Sequence, residues 1–342
     1  MTQNQHYVPK FILRQFLADT DGERVAVYDK KTDKTFVTSI RNVMAENRFN
    51  DFLFDDDWMV SFEPIACAAE DQVLPTYKKV LETRRLDNSP QEKAALAFLM
   101  AFQLLRTKAS RDQWQRVEEL IVAKVEESGG KMQDVQGWED WQPATEDSLK
   151  RDHLLSIRNS IGDIAQIVGM KDFWLAAPAN GRSFYLGDNP VCLNNMRRFD
   201  PRGNLGLAVT GIEIYMPLAS DLLLCAWCPS LLSGLRSDYE NAVRLLRTEA
   251  LGQVMAGTMT AQQMKDLMEH FSATDQPAAS LLRDAAAGIP VSSNEDNMDY
   301  YNSLQTSFAS RYVVCQQADF ALARKFCLEN PDARSGRRMG AA

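Results

Sequence analysis

From 89 to 105 the chain is apolar nearly all round. Leu96, Phe98, Leu99, Met100, Phe102, Leu104 and Leu105 leave little polar surface. A helix without a polar face belongs in the middle of a fold. Its start is marked by Ser89 as N-cap, Pro90 at the first helical position and Glu92 three residues after the cap. Helical character continues as an amphipathic stretch over 113–127, so a central helix over 89–127 is expected. Ser128-Gly129-Gly130 ends it. Upstream, Phe62, Ile65, Ala66, Ala69, Val73, Tyr77, Val80 and Leu81 recur at three- and four-residue steps and predict a helix over 58–86. Pro64 suits its first turns and Pro75 is a candidate kink. A further helix is expected over 145–170.

Other stretches alternate as strands do. The runs at 25–28 and 35–38 flank a polar connector and predict a hairpin, too short to stand without a packing surface. The character changes at Asp172. Short β-type runs at 173–177, 183–186, 191–193, 212–218 and 221–228 alternate with turn chemistry at Asn180-Gly181 and Gly187-Asp188-Asn189-Pro190. Helices at 236–254, 260–272, 297–307 and 319–329 follow, with a strand at 312–315. The pattern predicts an α+β protein, a helical layer packed on a mainly antiparallel central sheet. It reads as a single compact domain over 1–330, with a mild internal boundary near 128–145 and a disordered tail over 331–342.

Composition narrows the options. The 342 residues are 45% hydrophobic and 25% charged, ordinary for a globular chain. The net charge of -8 disfavours a broad nucleic-acid-coating surface, although a local basic groove remains open. Residues 1–6 are polar rather than an export signal, and no apolar run approaches the roughly 20 residues of a membrane span. The expected compartment is the cytoplasm, with no membrane contact and the six cysteines reduced. Cys225 and Cys228 are read as structural, Cys225 in a buried strand. Asp55-Asp56-Asp57 is read as the acidic start of a helix rather than a metal site. P-loop, GxGxxG, HExxH and GxSxG patterns are absent.

The opening His6-Tyr7-Val8-Pro9-x-Phe11-x-Leu13-Arg14-x-Phe16 is unusually apolar and specific for a terminus. It resembles the signature of a bacterial family of domains of unknown function, number 4238. Similar features follow in order: Asn47-Arg48-Phe49, Glu63, Gln103-x-x-Arg106-Thr107 with Arg111, Gly187-Asp188-Asn189-Pro190-Val191, Pro217-Leu218, Asn302-x-Leu304 and Arg311-Tyr312-Val313. The resemblance spans roughly 5–316 and implies a coherent fold without an established activity. Before Asp188 the family carries serine where this chain has Gly187, so that hydroxyl's contribution is absent.

The polar members of this set can be read as chemistry. His6, Glu63 and Asp188 are candidate catalytic residues, able to run acid–base chemistry or hold Mg or Mn. Arg14, Gln103, Arg106, Arg111 and Asn189 are candidate substrate-binding residues, arginine being suited to phosphate. Together they suit a metal-assisted phosphoesterase or nuclease, an effector in a conflict system acting on nucleic acid or a nucleotide. The alternative is a non-enzymatic module that binds an anionic ligand through the arginines, or a protein partner through the Trp138/Trp141 loop at 131–145. A third reading is a structural network in which Arg14 and Arg106 pair with Glu63 and Asp188. A lone helical histidine, His153 is expected to be a surface or packing residue. The opening segment should carry His6 and Arg14 to the central helix and the Asp188 turn, and a site is expected where the three meet.

Overall fold

The computed structural model describes residues 4–55, 58–197, 205–273 and 277–336. The opening segment forms β1 (Asn4–His6), a helical turn α1 (Lys10–Leu13) and a short 3-10 turn. Val8, Ile12, Leu13 and Phe16 are fully buried. The predicted hairpin is β2 (Arg24–Asp29) and β3 (Lys34–Ser39), paired from Arg24↔Ser39 to Asp29↔Lys34. β4 (Ala45–Asn47) pairs with β1, and β5 (Asp51–Asp55) with β6 (Trp58–Ser61). The helix expected from 58 therefore starts later, as α2 (Glu63–Thr83), and it runs through Pro75. Residues 56 and 57 of the acidic triplet lie outside the described residues.

The long central helix is two helices, α3 (Pro90–Leu105) and α4 (Lys108–Glu127). Ser89 caps α3 as expected, its hydroxyl accepting from the Glu92 amide at 3.2 Å. Glu92 turns back to accept the Asp87 and Asn88 amides. The break falls at Arg106-Thr107, where the Thr107 hydroxyl caps α4 by accepting from the Ser110 amide. Thr145 caps α5 (Glu146–Gly169) in the same way. The β-rich half gives β7 (Asp172–Ala177), β8 (Leu186–Gly187), β9 (Cys192–Asn194), β10 (Glu213–Ala219) and β11 (Leu222–Trp227). Then come α6 (Pro229–Met255), α7 (Ala261–Ala273), α8 (Pro277–Ala287), β12 (Val291–Ser292), α9 (Glu295–Phe308), β13 (Tyr312–Val314) and α10 (Ala321–Glu329). α8 and β12 were not legible in the pattern. Of the expected tail, 331–335 forms a 3-10 turn in which Arg334 donates to the Lys30 carbonyl, and 337–342 lie outside the described residues.

The fold is α+β with antiparallel sheets. One sheet runs β12-β7-β11-β10-β9, antiparallel except for the β12–β7 pair. A second runs β3-β2-β13-β8. In the first, alternate residues serve opposite faces. Leu175, Met216, Leu218, Leu222 and Leu224 join the core built with α2, α3 and the opening segment. Trp174, Tyr215, Leu223 and Cys225 join a second core with α8 and α9. Helices thus cover both faces, which is why β10 is buried at every residue. All six cysteines are free thiols, with Cys225 buried in β11 and Cys228 at the N-cap of α6. Among the described residues no helix is long and apolar enough to cross a membrane.

Within the second sheet, the turn after β8 is tied to the start of β13 and to the end of α9. Asp188 is buried and its carboxylate accepts from three consecutive amides, Ser310 (2.6 Å), Arg311 (2.9 Å) and Tyr312 (3.0 Å). Lys30, fully buried at the end of β2, donates to the carbonyls of Thr306 (2.6 Å) and Ala309 at the C-terminus of α9. Burial pushes the Asp188 carboxyl up, against the pull of the amides and of Lys30. Burial likewise brings Lys30 down to about 8, with Asp188 holding it up. A β-carbon at Gly187 would stand 2.9 Å from the Gln305 carbonyl oxygen and 3.2 Å from Ala309 Cβ.

Asp188→Ala leaves three amides without their acceptor and removes the counter-charge of buried Lys30, and should cost about 3–5 kcal/mol, read as a lower urea midpoint. Gly187→Ser, the residue suggested by the resemblance, should destabilise by about 1–3 kcal/mol through overpacking against α9. A Gly187→Ser midpoint at or above the parent's would contradict the close approach.

Candidate functional site

The opening segment, the α3–α4 junction and the Asp188 turn do meet. Gln103 and Arg106, on one face of α3, each hold a backbone carbonyl of the opening segment. The Gln103 side-chain amide donates to Tyr7 O at 2.8 Å, and Arg106 Nη2 donates to His6 O at 2.7 Å. Arg106 Nη1 pairs with Glu70 of α2, and its guanidinium lies 4.6 Å from the Phe102 ring centroid. At the next residue, the Thr107 hydroxyl donates to Asn189 Oδ1 at 3.1 Å, linking α4 to the turn that Asp188 begins. Arg111 is 9% exposed and lies 3.8 Å over the Phe49 ring, which packs on Tyr7 with centroids 5.2 Å apart.

The candidate acids and bases are each engaged by the fold. His6 Nε2 donates to Ile40 O at 2.8 Å, and burial is the main cause holding its pKa below the usual imidazole value. Asp188 serves the three amides already described. Glu63 accepts from Asn50 Nδ2 at 2.6 Å, within a network that runs through Gln5 to Asp51 and Ser61. The predicted pairing of Arg14 and Arg106 with Glu63 and Asp188 is not what forms. Arg14 is a surface residue bonded to Glu23 at 2.6 Å, and Arg106 goes to Glu70. Helix α1 turns Arg14 outward while burying Ile12 and Leu13. Among the described residues no group of three or more His, Cys, Asp or Glu side chains is placed to hold a metal ion. Asn302 holds the 183–185 backbone, and Arg311 pairs with Asp29 at 2.8 Å.

His153 is the residue whose importance the sequence hid. It is 1% exposed, on α5. Arg111 Nε donates to its Nδ1 at 3.4 Å, and its Nε2 faces Leu105 O at 2.9 Å. Arginine can only donate and a carbonyl can only accept, so the ring is neutral with its proton on Nε2. Burial first, and the adjacent Arg111 second, bring its pKa down to about 4. Arg111 keeps one unpartnered buried atom, Nη2, and Gln103 another, Oε1.

On its other side His153 joins the wall of a cleft of about 520 Å³ between α4, α5 and the 131–145 connector. Trp114, Trp138 and Trp141 line it, half of the chain's six tryptophans. The other three are ring-paired, Trp174 with Trp227 and Trp58 with Phe54. The cleft indoles have no ring partner among the described residues. The connector is nonetheless fixed: Trp138 N donates to Val135 O, Trp141 N to Trp138 O, and Gln133 Nε2 to Trp141 O. Trp114, Val117 and Ile121, at helical spacing on α4, were the legible signal for this wall.

A family model described as "Protein of unknown function (DUF4238)" matches residues 4–319, and the chain belongs to that family. No curated protein and no solved structure matches it.

His153 sets an acid limit on stability. Below pH 6.5 the unfolded chain binds a proton at this residue that the folded chain refuses until about pH 4. The contribution is therefore complete above pH 6.5 and is lost as pH falls toward 4, on the order of 3 kcal/mol in all. His153→Gln, which can still accept from Arg111 and donate to Leu105 O, should flatten the decline in urea midpoint between pH 6.5 and 4.5. An unchanged slope would refute the buried neutral imidazole.

Proposed function

We propose that this DUF4238 chain is a non-enzymatic ligand-binding module whose ligand enters the cleft between α4, α5 and the 131–145 connector. The carrying observation is that three indoles line one concave, well-anchored wall with their faces unpaired. Aromatic-lined clefts of several hundred Å³ with a few polar groups are where small ligands bind. A cleft that had to serve folding alone would bury its tryptophans against one another, as Trp174 and Trp227 do.

The hydrolase reading, a Mg- or Mn-assisted phosphoesterase or nuclease in a conflict system, has less support. Its three candidate catalytic side chains are hydrogen-bonded into the fold. A general base must reach its substrate proton, and these side chains are already occupied by partners within the fold. The polar seam around Arg106 is better read as the scaffold that fixes the N-terminal ends of α4 and α5, and so the cleft.

Trp138→Ala and Trp141→Ala should each weaken saturable quenching of indole fluorescence by a bound ligand while leaving the melting temperature within about a degree, because both side chains sit on a solvent-facing connector. Arg106→Ala should do the opposite, lowering the melting temperature by several degrees. Turnover of RNA, DNA or nucleotides by the purified protein with Mg or Mn, lost in His6→Ala, would overturn the binding reading.

A further inference from the structure

We infer that the cleft selects an organic ammonium cation, held on the faces of Trp114, Trp138 and Trp141 with Glu118 as its counter-charge. The assignment rests on the binding reading above. Ligand class follows from what the cleft wall leaves unspent. Its aliphatic members, among them Met132 and Leu149, supply no direction. Its charged members are Glu118, Arg151 and Asp152. Arg151 and Asp152 neutralise each other, Nε to Oδ1 at 2.9 Å. Glu118, half-buried on α4, makes no ion pair or hydrogen bond among the described residues. The unsatisfied charge of the cleft is therefore negative.

The indoles point the same way. The face of an aromatic ring is the negative end of its quadrupole, and tryptophan is the strongest of the three rings in attracting a cation. Three cationic side chains elsewhere in this chain already lie over rings at close range, Arg111 over Phe49, Arg106 over Phe102 and Arg311 over Tyr312. In the cleft three indoles have no such partner. An anion would meet the same faces unfavourably and would face Glu118. The surroundings favour cations further: between 131 and 152 acidic residues outnumber basic ones two to one, and the whole chain carries -8. Such a field raises the local concentration of cations.

Choline is a suitable probe, with two controls: its uncharged isostere bearing carbon in place of the quaternary nitrogen, and adenosine monophosphate as a flat anion. Fluorescence titration of the full chain should give saturable quenching by choline, with the isostere at least about tenfold weaker, as desolvated cation–π contacts require. Glu118→Gln should weaken choline about tenfold and leave the isostere unchanged; Trp138→Ala should weaken both. Equal affinity for choline and isostere, or preference for adenosine monophosphate, overturns the cation assignment and leaves the cleft a ligand site. No saturable quenching by any of the three overturns the assignment and the binding reading together.

Discussion

The buried carboxylate of Asp188 holds the β8 turn against the α9–β13 corner. It faces three successive amides at the start of β13, and Lys30 lies within its electrostatic reach while capping the end of α9. Hydrogen bonds to charged groups contribute about 1.5–3 kcal/mol each, and a charge this deep is tolerable only when it is fully bonded. The chain meets that condition on both sides, since Asp188 and Lys30 favour each other's charged forms. The β2–β3 hairpin, the β8 turn and the α9–β13 corner are thereby fixed together. Asn189 then reaches Thr107, so the same turn also locates the α3–α4 junction.

From that junction outward, polar side chains do the work of backbone. Gln103 and Arg106 take the carbonyls of Tyr7 and His6, Gln5 accepts the Asn50 amide, and Asn302 bridges Ser183 and Tyr185. Each satisfies a buried main-chain group that has no strand or helix partner, and an unsatisfied group there would be expensive. This gives the charged and amide residues of the set a structural role in satisfying main-chain groups. The opening segment is apolar at Val8, Ile12, Leu13 and Phe16 because it fills the core, and polar at Gln5 and His6, where β1 has β4 as its one strand partner and the side chains bond to Asn50, Asp51 and Ile40.

The cleft follows different physics. Its tryptophans are exposed or half-exposed, mounted on a connector whose turns are hydrogen-bonded and on α4, which Thr107 caps. Rigid aromatic surface offered to solvent loses little entropy on meeting a ligand. His153 joins this surface to the seam: it lines the cleft with one side and receives Arg111 on the other.

Local pattern determined the elements. The Ser89 cap, the 25–38 hairpin, the Thr145 helix and the short strands after Asp172 were legible because capping, turn chemistry and periodicity act within a few residues. So was the meeting of the opening segment, Gln103 and Arg106, and the Asp188 turn, although Arg14, expected there, lies at the surface. Partner choice was not legible. That Arg106 takes Glu70, that Arg14 faces solvent beside Glu23, and that His153 is a neutral acceptor for Arg111 depend on which side of each helix faces a neighbour. The break at Thr107 was also missed, since residues on both sides favour helix, although the Thr107 cap of α4 is itself a local signal. Sequence alone determined what the opening segment is made of and that it had to be buried. Tertiary structure decided that its histidine would serve a carbonyl, because ion pairs and hydrogen bonds form between side chains that folding has already brought close.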